Sequence, residues 1–133
     1  ELENLTVPCK FKIMPNHTFR QSNPAIVGVD IMAGKLRSGS QVMKNGQTIS
    51  VVKGIQNEKE NVHEAAEGKQ VAVSLTNVTV GRQINENDYL YTYIPEPDFR
   101  RLKELKKHLK KSELAVMKEI AEMMRKNNAV WGV

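Results

Sequence analysis

The chain has 133 residues, one cysteine and a formal net charge of +5. This length suits one domain with or without an appendage, and it can bury a core without disulfides or metal. No apolar stretch approaches the roughly 18 residues that cross a bilayer, so we expect no contact with a membrane. A single cysteine excludes an internal disulfide and fits a reducing compartment, so we expect a cytoplasmic protein.

The first 95 residues consist of short apolar runs separated by glycine, asparagine and proline. In the first run, Cys9, Phe11 and Ile13 share one face and alternate with lysines, which is the periodicity of a strand. Asn45 and Gly46 separate two further runs and are typical of a type I′ hairpin turn, because both residues tolerate positive φ. Short strands with this punctuation predict a mainly β fold, a closed or nearly closed antiparallel barrel over residues 1–95. The predicted strands are Val7–Met14, Ala25–Met32, Gln41–Lys44, Gln47–Val52, Gln70–Leu75 and Asp88–Ile94.

Residues 96–133 change to helical periodicity. Pro97 ends the last strand, and Asp98 is expected to cap a first helix. Ser112 is expected to cap a second helix, and Trp131 to hold the end of the chain against the core. This extension is predicted to pack on the barrel or project from it. The apolar stripes are Phe99, Leu102, Leu105 and Leu109 in the first helix and Leu114, Met117, Ile120, Ala121 and Met124 in the second.

The charge is unevenly distributed. Residues 1–95 carry a net charge of +1, and residues 96–133 a net charge of +4. A nearly neutral body with a basic tail indicates contact with phosphates or with an acidic peptide, the alternative being a solvated charged face.

Catalytic and metal-binding patterns are missing from the sequence. His17, His63 and His108 do not stand at zinc-like spacing, and no glycine-rich phosphate-binding loop occurs. The glutamates between residues 58 and 67 are interpreted as an exposed acidic loop. We therefore predict no catalytic residues, no metal site and no enzymatic activity.

Three segments together resemble a known module. PAIVGVDIMAGKLRSGSQV, HEAAEGKQVAVSL and NENDYLYT occur in the order found in the β-barrel of translational GTPases, the type known as their domain two. With the opening PCKFKIMPNHTFRQSNPAIVGVDIMAG and the two helices, the chain is similar to the C-terminal domain of archaeal and eukaryotic translation initiation factor five-B. Bacterial initiation factor two is the counterpart in that family.

The resemblance implies a function. In that family this domain binds the methionylated acceptor end of initiator tRNA while ribosomal subunits join, and its terminal helices contact initiation factor one-A. GTP and magnesium belong to a G domain elsewhere in the polypeptide, so no cofactor is expected here. A monomer that acts with tRNA and the ribosome is expected.

The resemblance also implies a tRNA pocket. The bacterial pocket maps onto Val29, Asn57, Glu58, Gln70 and Val71. The bacterial pattern has cysteines at the two valines and an arginine–tyrosine pair at the Asn57 and Glu58 positions, so this chain fits an unformylated methionine. The alternatives are that the valines are ordinary core residues and that the other positions form an exposed loop.

Basic residues near predicted loops complete the expected tRNA contacts. Lys35 and Arg37 are predicted to bind phosphate, with Arg20 and Lys53 as further cations in suitable places.

The basic first helix predicts a second interface. Arg100, Lys103, Lys107 and Lys111 are expected to attract an acidic, partly apolar peptide, with ribosomal RNA as the competing partner. The alternative function is therefore a protein-interaction domain that binds an acidic tail, with tRNA contact incidental.

Overall fold

The computed structural model describes residues 2–133. Eight strands precede two α-helices, and 3₁₀ turns occur at Leu2–Asn4 and Lys106–His108. The strands are β1 (Cys9–Arg20), β2 (Ala25–Arg37), β3 (Gln41–Lys44), β4 (Gln47–Asn57), β5 (Glu60–Val62), β6 (Glu64–Ala66), β7 (Gln70–Leu75) and β8 (Tyr89–Thr92). The helices are α1 (Glu96–Glu104) and α2 (Lys111–Arg125).

Six strands close into an antiparallel barrel. Their order is β1-β8-β3-β4-β7-β2, and β2 pairs back onto β1 to complete the cylinder. The short strands β5 and β6 extend its wall by pairing with β4 and β2. The predicted mainly β barrel followed by two helices is therefore confirmed.

Alternating side chains fill the barrel. Phe11, Ile31, Ile55, Leu75 and Leu90 are each at most 1% exposed and belong to one apolar cluster. Because successive strand residues point to opposite faces, the residues between them form the outer wall of the barrel.

A second apolar cluster lies outside the barrel, where the helices pack. Met43 and Tyr91 of the wall meet Phe99 of α1 and Ile120 of α2. Trp131 packs against Phe99 with ring centroids 4.6 Å apart, which confirms its expected role at the end of the chain. The helical extension is thus packed on the barrel rather than projecting from it.

Several predicted element boundaries were wrong. The first two strands continue to Arg20 and Arg37, and β4 runs on to Asn57. The segment interpreted as an acidic loop contains β5 and β6. The final strand is shorter than predicted, whereas β3 and β7 have the predicted bounds.

Both predicted helix caps were also wrong. Helix α1 begins at Glu96, and the Asp98 carboxylate instead accepts hydrogen bonds from the backbone N–H and hydroxyl of Thr6 at 3.0 and 2.8 Å. Ser112 lies inside α2 and donates to Glu67 Oε1 at 2.7 Å. The first apolar stripe is broken, because α1 ends at Glu104 before the 3₁₀ turn.

Within residues 2–133, no helix has the length and hydropathy needed to cross a membrane. The same residues contain no cluster of three or more histidine, cysteine or acidic side chains that could hold a metal ion.

Candidate nucleic-acid interface

A recess of about 580 Å³ opens on one side of the barrel. The outer half of β1 forms one wall, the end of β4 and the turn after it form another, and β2 and β7 form the floor. Its lining is mostly apolar, with polar groups at the rim, which is the usual composition of a ligand site. The lining residues are Met14, His17, Phe19, Ile26, Gly28, Gln56, Glu58, Lys59, Gln70, Val71 and Ala72.

The outer half of β1 presents an exposed aromatic ring to this recess. Phe19 is 65% exposed, and His17 meets it edge-on with ring centroids 6.4 Å apart. The Nδ1–H of His17 donates to the Pro15 carbonyl at 2.7 Å, which orients the imidazole. A Cβ on Gly28 would lie 2.8 Å from the His17 Cβ, so β1 crosses β2 this closely only because Gly28 has no side chain.

A tight turn places two opposite charges at the rim. Glu58 and Lys59 connect β4 to β5, and both have positive φ, 51° and 71°. Asn57 pairs with Glu60 across this turn. Two consecutive left-handed residues are the geometry of a type I′ hairpin turn, here without glycine. The exposed carboxylate and ammonium group of this turn therefore both border the recess.

The structure brings together only part of the predicted tRNA site. Glu58 and Gln70 line the recess, and Asn57 is adjacent to it at the end of β4. Val71 borders the recess but is only 5% exposed and belongs to the apolar cluster inside the barrel. Val29 is fully buried and pairs with Ile13 and Val71, so it faces the barrel interior and cannot touch a ligand directly. The burial of Val29 favours the alternative of an ordinary core residue.

Lys35 and Arg37 lie elsewhere. They follow the bend at Gly34 and pair with β6, seven or more residues beyond Gly28, which is roughly 20 Å of extended strand. Both lie close to Glu64, with nitrogen–oxygen distances of 3.7 and 3.4 Å. The single predicted site is thus divided between two ends of β2. The Arg20 side chain donates to the nearby Ser22 carbonyl at 3.0 Å, and Arg20 does not line the recess.

The aromatic part of the recess was not predicted from the sequence. Phe19 lies beyond the predicted end of the first strand, after Pro15, and this proline suggested that the strand had stopped. The signal that could have found it is the spacing of His17 and Phe19, which places both side chains on one face of a continuing strand.

The helices form a second groove, also of about 580 Å³. Its floor is apolar, with Phe99, Met117 and Ala121, and basic side chains surround it. Lys103 extends over the Phe99 ring at 5.8 Å, so one cation already borders the floor. The charged rim consists of Lys103, Lys106, Lys118, Arg125 and Lys126 with one acid, Glu122.

Of the four predicted partner residues, only Lys103 lines this groove. Arg100 pairs with Glu96 at 2.8 Å and donates to the Val133 carbonyl, so its contacts hold the C-terminal residue against α1. Lys107 and Lys111 are exposed but lie outside the groove. Lys107 lies in the 3₁₀ turn after α1, and Lys111 is the first residue of α2.

Strong pKa shifts occur away from both openings. Burial raises the pKa of the Cys9 thiol to about 12, and Cys9 lies inside the barrel. Burial and a hydrogen bond to Glu119 raise the pKa of Tyr91, at the contact between barrel and α2. Both groups owe their shifts chiefly to burial, and neither lines the recess or the groove.

Comparison with known proteins gives consistent results. A family profile described as "Elongation factor Tu domain 4" matches residues 7–91. The chain is 44% identical to the "Probable translation initiation factor IF-2" of Methanoculleus marisnigri, over 99% of this chain and 23% of that protein. It is 42% identical to the protein of the same description from Haloarcula marismortui, over 98% of this chain and 23% of that protein. The chain therefore spans less than a quarter of the length of these relatives.

Solved structures agree on the fold. GDP-bound aIF5B from Aeropyrum pernix superimposes with a TM-score of 0.89 and 37% identity, covering 97% of this chain and 22% of that one. A bacterial selenocysteine-specific elongation factor, EF-Sec, superimposes with a TM-score of 0.54 over 71% of this chain and 17% of its own, at 20% identity. At that identity the second likeness concerns the fold alone.

Proposed function

Because this chain belongs to the elongation factor Tu domain 4 family, in the form carried by archaeal initiation factors of the IF-2/aIF5B type, we propose that it binds the methionylated acceptor end of initiator tRNA. In this proposal the chain acts by binding and not by catalysis. GTP and magnesium would be held by another part of the longer factor. The setting is the cytoplasm, where one copy of the factor acts as ribosomal subunits join.

The exposed Phe19 beside an apolar recess is the observation that carries this proposal. A single-stranded acceptor end offers unstacked bases, and an aromatic ring at the rim can stack on one of them. The methionine side chain then enters the recess between Met14, Ile26 and Ala72. Methionine suits such a recess because its thioether is flexible and apolar.

The charges at the rim match an unformylated amino acid. Glu58 is an exposed carboxylate beside the recess, and it would attract the free α-ammonium group of esterified methionine. Formylation would remove that charge and the attraction with it. The neighbouring Lys59 is placed to meet a backbone phosphate of the acceptor end.

Binding of charged and uncharged initiator tRNA tests the proposal. We expect the methionylated form to bind more tightly, and Phe19→Ala to weaken it about tenfold through the lost stacking. Tyr89→Ala is the matched control, because Tyr89 is also an exposed aromatic, at 45%, but does not line the recess. Equal affinity for the charged and uncharged forms would contradict a methionine pocket.

A second function is favoured by the groove between α1 and α2. Its apolar floor inside a basic rim suits an acidic peptide with a few apolar anchors, and we propose the tail of initiation factor one-A as the occupant.

Reversing charge at Lys103 and Lys106 should strongly weaken the binding of an acidic apolar peptide in a calorimetric titration. Reversal at Lys107 and Lys111, which lie outside the groove, is the matched control. Loss of tRNA binding in the first variant would show that the two functions share one surface.

A further inference from the structure

A polar cleft of about 430 Å³ lies at the end of the barrel where β2 and β8 finish. It is separate from the recess at Phe19 and shares no lining residue with it. Its lining includes two cationic side chains, Lys35 and Arg37, and five hydroxyl-bearing side chains: Thr6, Ser38, Ser40, Thr92 and Tyr93.

The floor of this cleft contains a buried hydroxyl group without a partner. Thr92 is 2% exposed, and its Oγ1 has no hydrogen-bond partner among the residues that the structure describes. A side-chain interaction with Thr92 lowers the pKa of the Cys9 thiol against the larger effect of burial, but sulfur is only a weak acceptor and no hydrogen bond of ordinary geometry joins the two groups. A buried hydroxyl is normally satisfied, so Thr92 leaves one unused polar group in the lining of this cleft.

The cations at the cleft are only partly neutralised. Leu36 between them is fully buried, so Lys35 and Arg37 project from the same outer face of β2. Their shared partner is Glu64 of β6, at 3.7 and 3.4 Å, and all three side chains are between 40% and 49% exposed. Long, exposed ion pairs of this kind are weak and yield to a stronger anion.

We propose that this cleft binds a phosphate group of an RNA backbone. A lysine, an arginine and hydroxyl donors around one opening are the groups that bind phosphate oxygens. The site requires no methionine and lies at the opposite end of β2 from the recess, so it is a second RNA contact that survives even if the acceptor-end proposal fails.

Amide chemical-shift mapping of the 133-residue chain tests this site, with hexauridylate and inorganic phosphate as separate probes. Hexauridylate should move the resonances of Ser38–Gln41 and Thr92, and inorganic phosphate should compete with it there. A response to inorganic phosphate alone would overturn the RNA assignment in favour of a small-anion site. No response at these amides to either probe would overturn the site itself.

Three variants should give three different hexauridylate responses at the cleft. Arg37→Ala should weaken the hexauridylate response at the cleft about tenfold, through loss of a phosphate contact. Glu64→Gln should strengthen it about threefold, because it frees both cations without removing a donor. Phe19→Ala should leave the cleft response unchanged. An unaltered response in both Arg37→Ala and Glu64→Gln, with otherwise unchanged spectra, would contradict the proposal.

Discussion

Glu119 joins α2 to the barrel wall through two hydrogen bonds. Its Oε1 accepts from Lys10 Nζ at 2.9 Å and from the Tyr91 hydroxyl at 2.7 Å. Burial alone would raise the pKa of Glu119, but these two hydrogen bonds and the charge of Lys10 lower it. The ionised carboxylate is therefore the form that stabilises the packing of the helix on the barrel.

The pH dependence of stability should report this contact. Since the pKa of Glu119 is lower in the folded than in the unfolded chain, its contribution is present above the unfolded value of about 4.3 and is lost as pH falls through the folded one. Glu119→Gln should cost about 1 kcal/mol in urea unfolding at pH 7, and much less at pH 3. Glu122→Gln, an exposed neighbour on α2, is the control. A cost that is equal at both pH values would contradict the role of the charge.

The buried thiol of Cys9 provides a second residue-scale prediction. Burial raises its pKa to about 12, so almost no thiolate exists at pH 8 in the folded chain. Iodoacetamide labelling should therefore follow global unfolding and accelerate only as urea is added. Labelling of the native protein at the rate of a free thiol would show that the first strand opens locally.

At the scale of elements, the bend at Gly34 decides where β2 leaves β7 and joins β6. Its φ is +74°, and a Cβ there would lie 1.7 Å from the Pro8 carbonyl oxygen. The bend also turns Lys35 and Arg37 away from the recess and towards the polar cleft. One glycine therefore separates the two candidate RNA contacts.

Two alanine substitutions should separate steric from conformational costs. Gly39 also has positive φ, +89°, but a Cβ there would meet nothing within 4 Å. Gly39→Ala should cost about 1 kcal/mol for the left-handed backbone, and Gly34→Ala about 3 kcal/mol or more because the strands must also move apart. Denaturant midpoints of the two variants measure the difference. Similar midpoints would mean that β1 and β2 can separate at Pro8 without loss.

The elements that could be predicted were those defined by local chemistry. Asn45 and Gly46 have φ of 52° and 83°, as the hairpin signal required, and β7 has its predicted bounds. The turn at Glu58 and Lys59 was missed because it uses the same conformation without glycine. The short charged strands β5 and β6 were missed as well, because the apolar pattern of β4 and β2 does not show which segments pair with them.

The helix starts could not be predicted because tertiary contacts compete with caps. Asp98 and Ser112 have suitable side chains for capping, but they bond to Thr6 and Glu67, which are distant in sequence. The candidate site shows the same limit. Alternation along the strand shows which residues share a face with Val29. It does not show which face meets solvent, because closure of the barrel determines that.

At the scale of the whole molecule, charge and shape are divided between two surfaces. Five cations surround the groove between the helices, whereas Lys59 is the one cationic side chain among the described residues that line the recess at Phe19. The recess must therefore bind chiefly through apolar contact and stacking, and the groove through charge. These two mechanisms respond differently to salt.

Salt dependence should thus locate the binding of a short methionylated acceptor-end fragment. Each phosphate contact to a single strand contributes a slope of about −0.7 in the logarithm of affinity against the logarithm of salt concentration. With one lysine at the recess, we expect a slope of about −1 or shallower, and Lys59→Gln should bring it close to zero. Lys126→Gln, at the rim of the helical groove, should leave the slope unchanged. A slope steeper than about −2 would place the fragment outside the recess, on the basic helices or at the cleft of Lys35 and Arg37, because the recess does not supply enough positive charge to produce it.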